Sequence, residues 1–246
     1  MGLFDLFKAG GGDKKPGSKA NPAAKWADRL EKRAQNYDRQ EAINALSEMA
    51  TSEAVEALLK RFTFHMDPSI TDQEEKDAAF RGILKAGRNA VAPVRAFAGK
   101  AESLAWPMKI MAELLDEPEY VEELLKWLER WDTEYAKFVD PKVQILTALE
   151  EHKHPRIREE VERFLEDVDD RARFHAASTL LVQDDAASAP ALARLLGDEE
   201  SLRVRTRIAE GLASRGWEVP EEERDAARKG LPPGYTLDGS GRVTKK

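Results

Sequence analysis

Three groups of residues in this chain have types and spacings that chemistry requires, and each also has a plain structural explanation. His152 and His154 lie in Glu150-Glu151-His152-Lys153-His154-Pro155, where imidazoles and carboxylates offer metal-ligand types. Two imidazoles so close at a helix end cannot share one helical face, and a metal site needs three or four converging donors. The stretch therefore reads as a solvated turn; His65 and His175 stand alone, and no metal or cofactor is expected. Trp127 and Trp131 are four residues apart and share one side of a helix, in a segment where Glu119, Glu122, Glu123, Glu129 and Asp132 outnumber Lys126 and Arg130. They read either as core wedges, since large aromatics mostly bury their area, or as a protein-binding anchor rimmed by carboxylates that suits a basic partner. Arg173 and Arg205 occupy matching places in a short pattern written twice. No glycine-rich phosphate loop, nucleophile elbow or paired-carboxylate motif appears, so the chain does not read as an enzyme.

The elements that would position these residues are helices in pairs. Ala172-Arg173-x-x-Ala176-Ala177-x-x-Leu180 returns as Val204-Arg205-x-x-Ile208-Ala209-x-x-Leu212, and between the copies Ala189-Pro190-Ala191-Leu192-Ala193-Arg194-Leu195-Leu196 forms a second apolar helix. A period of about thirty residues made of two helices is the signature of an α-solenoid. Upstream, apolar residues at i, i+3, i+4 and i+7 predict helices over 39–49, 52–64, 74–85, 89–97, 104–115, 118–131, 140–151 and 155–165. Thr51 or Ser52 supplies a hydroxyl cap, Gly87 a helix C-cap, and Thr71 or Asp72 a cap after Pro68. The expected fold class is all-α: a solenoid of about five to six antiparallel helix pairs over 21–230. It is preceded by a tail over 1–20 and followed by a tail or small hairpin over 231–246, where Asp238-Gly239 marks a turn. The charged helix near 220–229 reads as a polar lid on the array.

This arrangement is similar to the HEAT-repeat family, in particular to the short bacterial HEAT-like repeats also found in phycobilin lyases. The residues that carry the resemblance are the two copies at Ala172 and Val204 and the second-helix prolines of Ala92-Pro93-Val94 and Ala189-Pro190-Ala191. The match is clear over Asp169 to Trp217; from Arg39 to Leu165 it holds in period and pairing only, with no counterpart of the first-helix arginine evident. The resemblance implies a curved stack in which Arg173 and Arg205 bond carboxylates of neighbouring turns, with Asp169, Asp170 and Asp198 as candidates. The His-Glu pairs of HEAT-type di-iron hydroxylases are missing.

The tail opens Met1-Gly2-Leu3-Phe4-Asp5-Leu6-Phe7-Lys8 and continues through three glycines and several lysines. Leu3, Phe4, Leu6 and Phe7 fall on one side of two helical turns, suited to a protein groove, to weak peripheral contact with a membrane, or to packing on the solenoid's own end. Leu6 stands where the myristoylation motif wants Ser or Thr. A net charge of −7 opposes binding to nucleic acid, whose affinity rests on Lys and Arg releasing counterions. The absence of cysteine and of a secretory leader points to the cytoplasm, and no apolar run is long enough to span a membrane. The expected function is a non-catalytic scaffold or adaptor that binds another protein through the repeat surface and the apolar tip. The alternatives are a lyase-like accessory protein handling a small ligand and, opposed by the acidity, a helical-repeat DNA glycosylase.

Overall fold

The computed structural model describes residues 21–246, so the Leu3, Phe4, Leu6 and Phe7 tip lies outside the described residues. A short helix, α1 (Ala24–Ala27), precedes six helix pairs. They are α2 (Asn36–Met49) with α3 (Ser52–Leu59), α4 (Ser69–Lys85) with α5 (Val91–Ala98), and α6 (Ala105–Leu114) with α7 (Glu117–Leu128). Then follow α8 (Asp140–Leu149) with α9 (Pro155–Val161), α10 (Asp170–Gln183) with α11 (Ala189–Asp198), and α12 (Leu202–Arg215) with α13 (Arg224–Gly230). Each pair alone has one apolar face. Stacking buries those faces into one continuous core that runs from Leu30 through Ile83, Leu124, Phe164 and Leu180 to Leu212.

The turns follow local chemistry. Thr51 accepts a hydrogen bond from the Ala54 N–H at 3.3 Å and Asp116 one from Glu119 N–H at 2.9 Å, each satisfying a helix-start donor. Gly87 has φ +54 just past the end of α4, the left-handed conformation in which glycine closes helices. One boundary differs from expectation: α4 starts at Ser69, directly after Pro68, and neither Thr71 nor Asp72 caps it. Asp72 points inward instead and receives hydrogen bonds from Arg61 and Lys76.

The C-terminal end also departs from the sequence reading. The 224–230 helix is the second helix of the sixth pair, and it fits because its contact residues are small: Ala227 and Gly230 are buried. A Cβ on Gly230 would lie 1.7 Å from the Leu196 carbonyl oxygen and 2.6 Å from its carbon. Those are backbone atoms of α11 and cannot swing aside. Gly230→Ala is therefore expected to destabilise the protein by about 2–3 kcal/mol, in the range of overpacked cores, read from urea unfolding. Beyond it, β1 (Tyr235–Leu237) pairs antiparallel with β2 (Val243–Lys245), and Leu237, Val243, Val219 and Trp217 join the core. An apolar hairpin thus closes the array where a polar lid is expected. Asp238 organises its turn by accepting from Ser240 and Arg242 N–H groups, both at 2.9 Å.

Candidate functional site

The first helices share one internal phase. Taking the residue three before the paired apolar positions as reference, that place is held by Arg39, Lys76, Pro107, Lys142, Arg173 and Arg205. Each is followed at +3, +4 and +7 by apolar residues: Ala42, Ile43 and Leu46 in the first helix, Ile145, Leu146 and Leu149 in the fourth. The cation missing from the sequence reading upstream of Leu165 is therefore present as Arg39, Lys76 and Lys142. Unequal connections hide it, and aligning on the apolar triplet reveals it.

Lys142 and Arg173 reach the connection that leads into the next first helix, whereas Arg39 bonds Glu75 within α4 and Lys76 bonds Asp72 of its own helix. Lys142 donates to Asp167, with side chains 1% and 0% exposed. Arg173 donates through Nε to Glu199 at 2.6 Å and through Nη2 at 2.8 Å, the bidentate fork that a guanidinium makes with a carboxylate. Burial alone would push the Glu199 carboxyl up, but the hydrogen bonds from Arg173 and the Ser201 N–H hold it below its ordinary value. Of the acids proposed for this role, neither Asp169 nor Asp198 serves Arg173. Asp169 caps α10 by accepting from Arg171 N–H at 2.9 Å and pairs with the Arg171 side chain at 3.3 Å. Asp198 ends α11, one residue before the partner that Arg173 uses. Arg205 has a buried Nε without a hydrogen-bond partner among the described residues. The reason is positional: Arg205 lies in the last pair, and the connection that follows it, Leu231-Pro232-Pro233-Gly234, carries no carboxylate.

The tryptophans are separated by burial. Trp127 is 4% exposed and packs in the core, so its ring is no surface anchor; Trp131 is half-buried beside it. The acids around them are engaged elsewhere. Glu119 pairs with Arg88, Glu123 with Arg95, and Glu122 with Arg156, each at 2.6 Å and each from a neighbouring repeat. Apart from Asp132, the expected carboxylate rim is thus consumed in bridges to neighbouring repeats. His152 and His154 point to different carboxylates, Glu117 at 3.1 Å and Glu122 at 3.7 Å. Among the described residues no three metal-ligand side chains converge.

Two features remain open to a partner. Among the described residues the exposed large hydrophobics are Tyr37, Ile70, Tyr135, Phe138, Val168 and Leu202. Every one lies in the first turn of a first helix or in the connection leading into it. Those connections are neighbours, since the Val168 N–H donates to the Thr133 carbonyl at 3.0 Å and Ser201 bonds Asp170 at 3.3 Å. The apolar residues therefore line one edge of the stack. Opening beside that edge is a groove of about 810 Å³ between α9 and α11, lined by Glu159, Glu162, Glu166, Asp167, Asp198, Glu199 and Glu200 with Arg163, Arg173 and Arg194. Leu165, Ala191 and Leu195 contribute an apolar floor. Sequence reasoning misses this groove because its acids come from two helices and two connections.

Residues 121–213 match a family model described as HEAT repeats. No curated protein matches the chain. The matched stretch contains the Lys142 and Arg173 rungs, the groove between α9 and α11, and the clearest repeat copies, and over residues 121–213 the chain is similar to HEAT repeats.

Proposed function

We propose that this protein is a non-catalytic scaffold that binds another protein along the edge formed by the entries to its first helices. The observation that carries the reading is the placement of the exposed large hydrophobics. Six such residues scattered over a monomer need no explanation, but six confined to the entries of the first helices lie along one edge, the kind of placement that marks interaction surfaces. HEAT repeats generally serve protein–protein interaction, which supports the same reading. No described helix is long and apolar enough to cross a membrane. In this reading the Leu3, Phe4, Leu6 and Phe7 segment supplies a second attachment point, raising the effective concentration of a partner already held by the body.

The test compares partners captured from native lysate by the wild-type chain, by Tyr135→Ser/Phe138→Ser, and by a chain lacking residues 1–19. Tyr135 is 83% and Phe138 42% exposed, so the double change should move the melting temperature by no more than about 2 °C. The edge variant is expected to lose the partners that the wild type retains, and the truncated chain to lose at least one. Identical partner sets for all three proteins would refute the scaffold reading.

A further inference from the structure

The groove between α9 and α11 differs electrostatically from the rest of the second-helix face. Elsewhere on that face, arginines bridge successive repeats: Arg88 to Glu119, Arg95 to Glu123, Arg156 to Glu122 and Arg194 to Glu223. Across the α9 to α11 step the bridge is Arg158 to Asp185, which lies outside the groove. Within the groove, Asp167 and Glu199 are engaged by Lys142 and Arg173, whereas Glu159, Glu166, Asp198 and Glu200 have no ion pair among the described residues. Like charges left together around a concavity cost stability, and the fold pairs its acids at the neighbouring steps.

We propose that this groove seats an extended segment of a partner polypeptide carrying lysine or arginine next to apolar residues. Three properties support that occupant over others. The unpaired carboxylates are complementary to cations and repel phosphate backbones. The Leu165, Ala191 and Leu195 floor gives an apolar side chain a place that a simple polyamine would leave empty. An opening of about 810 Å³ is a cleft large enough to hold several side chains and far larger than a cation needs. The proposal rests on the scaffold reading and adds the chemistry of the partner.

The experiment uses the full chain and a fluorescein-labelled peptide of alternating Lys/Arg and Leu, with its Glu/Leu counterpart as control, measured by fluorescence anisotropy. The basic peptide is expected to bind and to weaken as salt rises from about 50 to 300 mM, because exposed charge pairs are screened. Glu166→Gln/Asp198→Asn/Glu200→Gln should weaken it about tenfold, three exposed pairs at their usual modest strength, with an unchanged melting temperature. Asp167 and Glu199 are left alone because they hold the repeats together. Equal binding by the triple variant overturns the proposal. So does complete displacement of the peptide by spermidine at equal concentration, since that would make the site a polyamine site. Binding that appears only after residues 1–20 are removed overturns it too, by making the chain's own tail the occupant. Failure here leaves the capture experiment with Tyr135→Ser/Phe138→Ser able to succeed, so the two readings fall separately.

Discussion

Asp167→Ala is expected to destabilise the protein by about 3–5 kcal/mol, the range for removing one partner of a buried ion pair. The Lys142 ammonium is 1% exposed, and after the change its remaining acceptor is the Asp132 carbonyl at 3.2 Å. The loss is dominated by the buried charge left behind; the packing volume removed is small. Asp167 also accepts from the Asp169 N–H at 2.9 Å, so the variant frees a backbone donor at the entrance to α10. The double variant Lys142→Met/Asp167→Leu separates these terms, because it removes both charges and keeps apolar volume. It is expected to recover most of the loss in urea unfolding, as apolar replacements of buried pairs do. A double variant as unstable as Asp167→Ala would show that the rung acts through geometry at the α8 to α10 junction and not through charge.

This rung shows what the sequence made legible and what it hid. The pairing of helices and the Arg173 position were readable because hydrophobic periodicity and a repeated arginine are local patterns. The choice of Glu199 over Asp198 was not, since adjacent acids in one connection are equivalent until the backbone fixes which carboxylate points at the preceding repeat. Lys142 was hidden by an irregular connection of eleven residues between α7 and α8, which breaks the period without changing the phase inside the helix. Trp127 and Trp131 illustrate the same limit. Their spacing predicts one side of a helix, but α7 ends at Leu128, before Trp131, and only packing decides that Trp127 is interior and that the acids beside it are taken by Arg88, Arg95 and Arg156. The groove acids were invisible for a further reason: what distinguishes Glu166 or Glu200 from other surface acids is the absence of a partner from a neighbouring repeat.

The second large effect is expected at the opposite end of the array, where the ladder becomes a buried cluster. Glu75, 1% exposed, accepts from Arg39 at 2.9 to 3.1 Å and from Arg61 at 2.6 Å, while Asp72 accepts from Arg61 at 2.7 Å and from Lys76 at 2.6 Å. Three buried cations thus share two carboxylates, so the cluster tolerates the loss of a negative charge poorly. Glu75→Gln keeps the shape and removes the charge that two guanidiniums face, so its cost should reach at least the upper part of the 3–5 kcal/mol range. Asp72 adds a pH dependence. Burial alone would raise its carboxyl, but hydrogen bonds from Lys76 and Arg61, the Arg61 charge and the Met66 N–H outweigh it and hold the group well below its ordinary value of 3.8. A carboxylate depressed on folding contributes stability that is fully present above its unfolded value and lost as pH falls toward the folded one. Urea midpoints of the wild type should therefore drop below about pH 4, and Asp72→Asn, less stable at pH 7, should show a flatter acid limb. Parallel curves for the two proteins would mean that another carboxylate governs the acid response.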